Sequence, residues 1–267
     1  MADWPVVKGG YFSQSNSVNP TALTANTKGA WTTVATLMNN CGLIECAIYY
    51  SALSGGYLFD IGIGTDENKV VIVENIHTGW PNNQARGQNE TISIPIFIAK
   101  GQTVYVRYQQ NGGSTNVWVN FSFYESFFGL PSFAGVDTYG ANTVSTRGTP
   151  VDPGGTANVW GSYVELSSSL PRNYRGFILG IPYDYNGGRT DEYYWNLKLA
   201  IGAAGSEQQL CYGFRLHTRD EHDGMNPKIF PFIEMHLPKG QRLSISARCN
   251  YTDATDRKTD VILYTVY

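Results

Sequence analysis

Charge is scarce in this 267-residue chain: only 15% of residues are Asp, Glu, Lys or Arg, and the net balance is -3. That sign is wrong for wrapping a phosphate backbone, and no run of Lys or Arg supplies a local basic stripe, so nucleic acid is not an expected partner. No apolar stretch approaches the length needed to span a bilayer, and the start, Met1-Ala2-Asp3-Trp4-Pro5, has no basic segment leading into an apolar one. The expectation is a soluble product made in the cytoplasm, without membrane insertion. Cysteine is sparse as well. Cys41, Cys46, Cys211 and Cys249 follow no disulfide or metal-ligand spacing and read as reduced, buried thiols. The chain has no Gly-Xaa-Ser-Xaa-Gly elbow, phosphate loop or Cys-His nucleophile pattern, and no long amphipathic helical stretch.

What is present is strand and turn material: Gly (29), Tyr (18) and Phe (12) are abundant. Val104, Val106 and Tyr108 alternate with Tyr105, Arg107 and Gln109, which is the period of a strand with one buried face. The chain also repeats itself at a spacing of about 140 residues. Ile61-Gly62-Ile63-Gly64 is echoed by Leu199-Ala200-Ile201-Gly202, and Ile98-Ala99-Lys100-Gly101-Gln102 by Leu237-Pro238-Lys239-Gly240-Gln241. Asn75-Ile76-His77-Thr78 aligns with Arg215-Leu216-His217-Thr218, the Trp31 segment with the Trp160 segment, and Val119-Asn120-Phe121 with Val261-Ile262-Leu263.

These features predict an all-β chain of two tandem, duplicated antiparallel β-sandwich or jelly-roll domains. Residues 1–26, rich in Ser, Asn and Thr, read as an extended arm of the kind that ties subunits together. Residues 27–125 form the first sandwich, residues 126–157 a Gly/Pro-rich linker, and residues 158–267 the second sandwich. Exposed sheet edges and the arm favour a homo-oligomer.

No catalytic residue, metal site or cofactor is expected. His77 and His217, aligned by the repeat, are the candidates for a ligand contact; the plainer expectation is an imidazole donating to a loop carbonyl. His217 to Asp223 resembles a metal-ligating cluster, but the aligned stretch from His77 carries no acid, so a solvated loop is expected. The acid pairs Asp66/Glu67 and Asp191/Glu192 are adjacent in sequence, and glycoside cleavage needs two acids facing each other across a cleft. Aromatic residues beside amides suit a sugar, whose C–H face stacks while its hydroxyls seek donors and acceptors. Trp80, Tyr183, Asp184, Tyr185, Asn186, Arg189, Tyr193 and Trp195 are the candidate glycan contacts.

The strand ending in Ile-Gly, the Gly/Ser turn with Glu and the later Pro-Lys-Gly strand stand at Leu199 to Glu207 and Leu237 to Arg248. Weaker versions stand at Ile61 to Glu67 and Ile98 to Arg107. This pattern resembles accessory virion proteins of tailed bacteriophages and gene transfer agents. The resemblance implies a non-enzymatic head spike, head fibre, tail fibre or decoration protein on the virion surface, with other virion proteins and a host cell-surface polysaccharide as partners. The duplication, the linker and the polar-aromatic surface add the expectation that the arm and first domain anchor to the particle while the second domain faces the host. A capsid cement protein is the second expectation. A glycan-degrading enzyme using Asp184, Asp191 or Glu192 is the third.

Overall fold

A computed structural model describes residues 14–18, 24–50, 55–80, 90–112, 117–125, 133–181, 184–185, 193–218, 228–251 and 258–267. Among them there is no helix, and therefore none long and apolar enough to cross a membrane. The chain is all-β, built from antiparallel sheets stacked as sandwiches.

The first half contributes β1 (Gln14–Val18), β2 (Thr32–Thr36), β3 (Leu43–Tyr50), β4 (Gly55–Gly64), β5 (Lys69–Trp80), β6 (Glu90–Ile94), β7 (Thr103–Gln110) and β8 (Val117–Tyr124). They form two sheets, ordered β1-β8-β3-β6 and β2-β7-β4-β5. Alternation decides the faces. Ile44, Cys46, Phe121 and Phe123 point from one sheet toward Phe59, Ile61, Val106 and Tyr108 of the other, and all are buried. The rings of Phe59 and Tyr108, paired across β4 and β7, stack at 5.4 Å.

The second half contributes β9 (Val136–Tyr139), β10 (Thr149–Val151), β11 (Val164–Ser167), β12 (Tyr174–Ile181), β13 (Asp184–Tyr185), β14 (Tyr193–Ile201) and β15 (Gln208–Thr218). It continues with β16 (Lys228–Ile229), β17 (Ile233–Leu237), β18 (Leu243–Cys249) and β19 (Lys258–Val266). One sheet is ordered β11-β18-β14-β15. In the other, β19 runs between β9/β10 on one side and β12/β13 on the other, with β16 and β17 beyond β12. Strand order is thus the same in both halves.

Detail recurs too. Gly101 and Gly240 both take a left-handed φ (85° and 82°) that a side chain would resist. Lys100 N donates to Asn40 Oδ1 and Lys239 N to Asn173 Oδ1. Gly101 N bonds Leu37 O and Gly240 N bonds Leu170 O. The pairings of β2 with β7 and of β11 with β18 put Thr32 at the position of Val164, so Trp31 is in register with Tyr163, three residues from Trp160. A second correction concerns the histidines. Each edge strand bulges where one residue takes positive φ, Asn75 in β5 (55°) and Gly213 in β15 (94°), because Asn and Gly tolerate that region best. Beyond the bulge Ile76 lies opposite Phe59 and Phe214 opposite Leu197, so His77 corresponds to Arg215, and His217 to Gly79.

Two expected boundaries are also corrected. Residues 136–139 and 149–151 of the supposed linker are strands paired to β19, and Val151 is fully buried. Residues 126–132 lie outside the described ones. Within the supposed arm, β1 pairs with β8 of its own sandwich. The physical reason is available apolar surface. β12 and β19 carry the near-continuous apolar runs Phe177-Ile178-Leu179 and Val261-Ile262-Leu263-Tyr264, which bury both faces. Phe177, Leu179, Val261 and Leu263 point into the second core. Ile178, Ile262, Tyr264 and Val266 point outward and join the core of the first half. The two sandwiches are fused along this seam.

Candidate functional site

Because the sandwiches share a strand order, their connections sort by end. The β3–β4, β5–β6 and β7–β8 connections leave one end of the first sandwich. Those after β12, β15 and β18 leave the matching end of the second. Contacts across the seam show that the two ends point the same way. Thr138 Oγ1 donates to Glu74 O, Tyr264 OH accepts from His77 N, and Gly148 N bonds Asp260 while neighbouring Thr146 meets Gly56. Along β5 these contacts climb toward Trp80; along β19 they climb toward Lys258. The tight turns at Thr65–Asn68, Ala99–Gln102, Ala203–Ser206 and Pro238–Gln241 occupy the opposite end.

Four of the eight candidate glycan contacts belong to this loop end by chain position. Trp80 is the last residue of β5, opposite Gly55; Tyr185 pairs with Lys258, and Asp184 with Thr259; Tyr193 opens β14 opposite Thr218. Tyr183, Asn186 and Arg189 lie outside the described residues, as do Asp191 and Glu192. Trp195 is a correction. It is 1% exposed and belongs to the second core with Leu197 and Leu199, so it contacts no ligand; its indole Nε1 is buried without a hydrogen-bond partner. Strand period explains this, since Trp195 shares the inner face and Tyr194, Asn196 and Lys198 take the outer one.

Behind the loop end the seam holds polar groups that motif reading did not single out. Thr146, fully buried with φ 54°, accepts from Gln109 Nε2 at 2.8 Å and donates to Asn26 Oδ1 at 2.6 Å. His77 donates to the Thr146 carbonyl, the plainer of its two expected roles, and burial holds its imidazole neutral down to about pH 3. The side chain of His217 lies outside the described ones. Asp260 is fully buried; burial raises its carboxyl to about 7, against the opposing pull of Arg147 and the Gly148 N–H.

These two groups drive stability in opposite directions with pH. Asp260, raised from its ordinary 3.8, contributes fully below about pH 4, and that contribution is lost as pH rises through 7. His77, lowered from 6.5, contributes above that value, and its contribution is lost as pH falls toward 3. Asp260→Asn removes only the first. Relative to the unchanged protein, the variant is expected to gain about 1–3 kcal/mol between pH 5 and pH 8. Urea unfolding at both pH values measures this, and an equal difference at the two pH values refutes it.

Elsewhere, Asp60 is buried in β4 and takes Lys28 Nζ at 2.6 Å, Arg107 Nε at 2.8 Å and Asn75 N at 3.0 Å. Its sequence signal is a single carboxylate inside the apolar strand Leu58-Phe59-Asp60-Ile61. Asp137 accepts from Tyr174 OH at 2.5 Å and pairs with Arg172 at 3.2 Å; burial first, then Asp137, pushes the Tyr174 hydroxyl well above its ordinary value. Asp66 and Glu67 sit on an exposed turn, where Asp66 accepts from the Tyr105 hydroxyl at 3.1 Å. Cys41, Cys46 and Cys249 are buried thiols and Cys211 a half-buried one, none of them in a disulfide. Among the described residues no three His, Cys, Asp or Glu side chains gather closely enough to hold a metal.

No family model matches the sequence, and no curated protein does. Solved structures that match include PNGF-II, at a TM-score of 0.43 and 9% identity over 96% of this chain and 65% of that one. Another is tripeptidyl peptidase 2, at 0.27 and 8% over 97% of this chain and 23% of that one. The chain thus spans less than two thirds of the PNGF-II chain and less than a quarter of the peptidase.

Proposed function

We propose that the chain is a non-enzymatic surface component of a phage-like particle that attaches to host polysaccharide through its loop end. The observation that carries this reading is the common direction of the two loop ends: strands of both halves of the fused double sandwich bring Trp80, Tyr185 and Tyr193 to the same end. Paired recognition ends on a particle bearing many copies turn weak sugar contacts into avid attachment. The fused seam changes one part of the picture. Anchoring and recognition divide between the turn end and the loop end, and not between one domain and the other.

The same rigidity favours a second reading, a cement protein that braces the particle without binding sugar. Adsorption of particles with and without the protein to capsulated and uncapsulated host cells separates the two. Reduced adsorption to capsulated cells on deletion is the expected result. Equal adsorption with heat-fragile particles supports the cement reading, and release of reducing ends from the polysaccharide by purified protein overturns the non-enzymatic premise.

A further inference from the structure

The seam joins unlike faces. The first sandwich gives the outer face of β2-β7-β4-β5, where Leu58 lies between His77 and Gln109. The second gives the outer face of the β12/β19 sheet, where Ile178 pairs with Tyr264. Each face has an equivalent in the other sandwich. On the second sandwich the stretch around Trp160 and Gly161 covers part of it, with Ser246 bonding the Gly161 carbonyl, and leaves Arg215 exposed; on the first, Glu45, Ala47, Asn120 and Ser122 are half-buried. On the second sandwich, Asn196 lies between Arg215 and Arg248 at the positions of Leu58, His77 and Gln109. On the first, the pair Glu45/Ser122 stands where Ile178 and Tyr264 stand.

The two free faces are opposite in charge. β14, β15 and β18 contain Lys198, Arg215 and Arg248 and no Asp or Glu, and the one carboxylate of the fourth strand, Glu165 of β11, is paired with Arg242. β1, β3, β6 and β8 hold no Lys or Arg, and the carboxylate that register places on their outer face is Glu45, which accepts from the Tyr124 hydroxyl at 2.7 Å. Lys198 is held over the rings of Trp160 and Tyr163 at 4.5 and 4.7 Å, and Arg248 over Trp160 at 4.9 Å. No described carboxylate pairs with any of the three cations. In the first sandwich the position of Lys198 is taken by Asp60, which neutralises Arg107 and Lys28.

We infer that the free faces meet between copies: the Glu45 face of one chain docks on the Arg215/Arg248 face of the next, repeating the geometry of the internal seam. In the seam the Tyr264 hydroxyl sits on the backbone of His77 and Asn75. In the repeat, Ser122 takes that place beside Arg215, and Glu45, its cross-strand neighbour, comes within reach of the guanidinium. The internal contact is apolar because it forms once within a chain. The one between copies is polar and charged, as suits subunits that exist separately before they assemble. The two faces belong to the outermost sheets on opposite sides of the fused pair, so the contact runs head to tail and assembly proceeds to rings of three or more copies or to open chains.

Sedimentation of the full chain across a concentration series, in low and high salt, tests this. Salt-sensitive oligomers larger than a dimer are expected. Arg215→Glu with Arg248→Glu should weaken assembly about tenfold or more while leaving circular dichroism unchanged, and Glu45→Lys should do the same. Combining all three substitutions should restore it, because the charges are then exchanged. A monomer at every concentration overturns the inference, as does a dimer end point, or a triple variant as weak as its parents. Retention of the monomeric chain on polygalacturonate or on a single-stranded oligonucleotide, lost with Arg215→Glu and Arg248→Glu, overturns it in favour of a polyanion site.

Discussion

Truncating Tyr264 to alanine is expected to lower the unfolding free energy by about 3–5 kcal/mol, the range for emptying a large aromatic side chain from a packed core. Tyr264 is 1% exposed, stands in the core of the first sandwich although it belongs to the second, and bonds both the N–H of His77 and the carbonyl of Asn75. Urea unfolding followed by tryptophan fluorescence and by far-ultraviolet circular dichroism measures the loss. Fusion along the seam makes a further demand: both probes should report one transition in the unchanged protein. Two separate transitions, with a loss under about 1 kcal/mol in the variant, would show sandwiches that hardly depend on each other.

Asp60→Asn is the second large effect, a destabilisation of about 3 kcal/mol. The change is nearly isosteric and keeps an acceptor for Asn75 N, but it leaves Lys28 and Arg107 without their shared counter-charge. Lys28 suffers most, because its side chain is 18% exposed and desolvation already depresses its pKa. Arg107 retains the ring of Trp31 at 4.5 Å. In a Lys28→Met background the same substitution should cost measurably less, since one of the stranded charges is gone. An equal cost in both backgrounds would assign the loss to shape and not to charge.

How much of this was legible in the sequence can be argued residue by residue. The sandwich class follows from alternation: Val104, Val106 and Tyr108 are buried as their period requires. Even there, Tyr105 and Gln109 are also buried, because Gln109 lies in the seam and donates to Thr143 O at 2.7 Å. The Lys-Gly-Gln turns were visible because a left-handed φ leaves few residues but glycine. The histidine alignment failed for a related reason. The constraint at the bulge falls on backbone conformation, which Asn75 and Gly213 satisfy with different letters, so matching letters slipped the register by two. Trp195 was misplaced by reading a cluster of aromatic residues without its alternation; its neighbours Leu197 and Leu199 marked the inner face. The seam left only a faint signal, strands apolar at consecutive positions. Such a run says that both faces are covered, but not by what.

The two-faced burial of β19 also orders events during synthesis. All eight strands of the first sandwich precede Glu125, so that half can close while the rest of the chain is still being made. Until residues 258–266 emerge, however, Leu58 and its neighbours on the outer face of β4 and β7 have no cover, and β12 lacks the partner that runs beside it. The nascent protein therefore passes through a stage that presents sticky apolar surface. Chains slow to deliver β19 risk joining one another through that surface, which makes late strand arrival the step most exposed to chaperone demand.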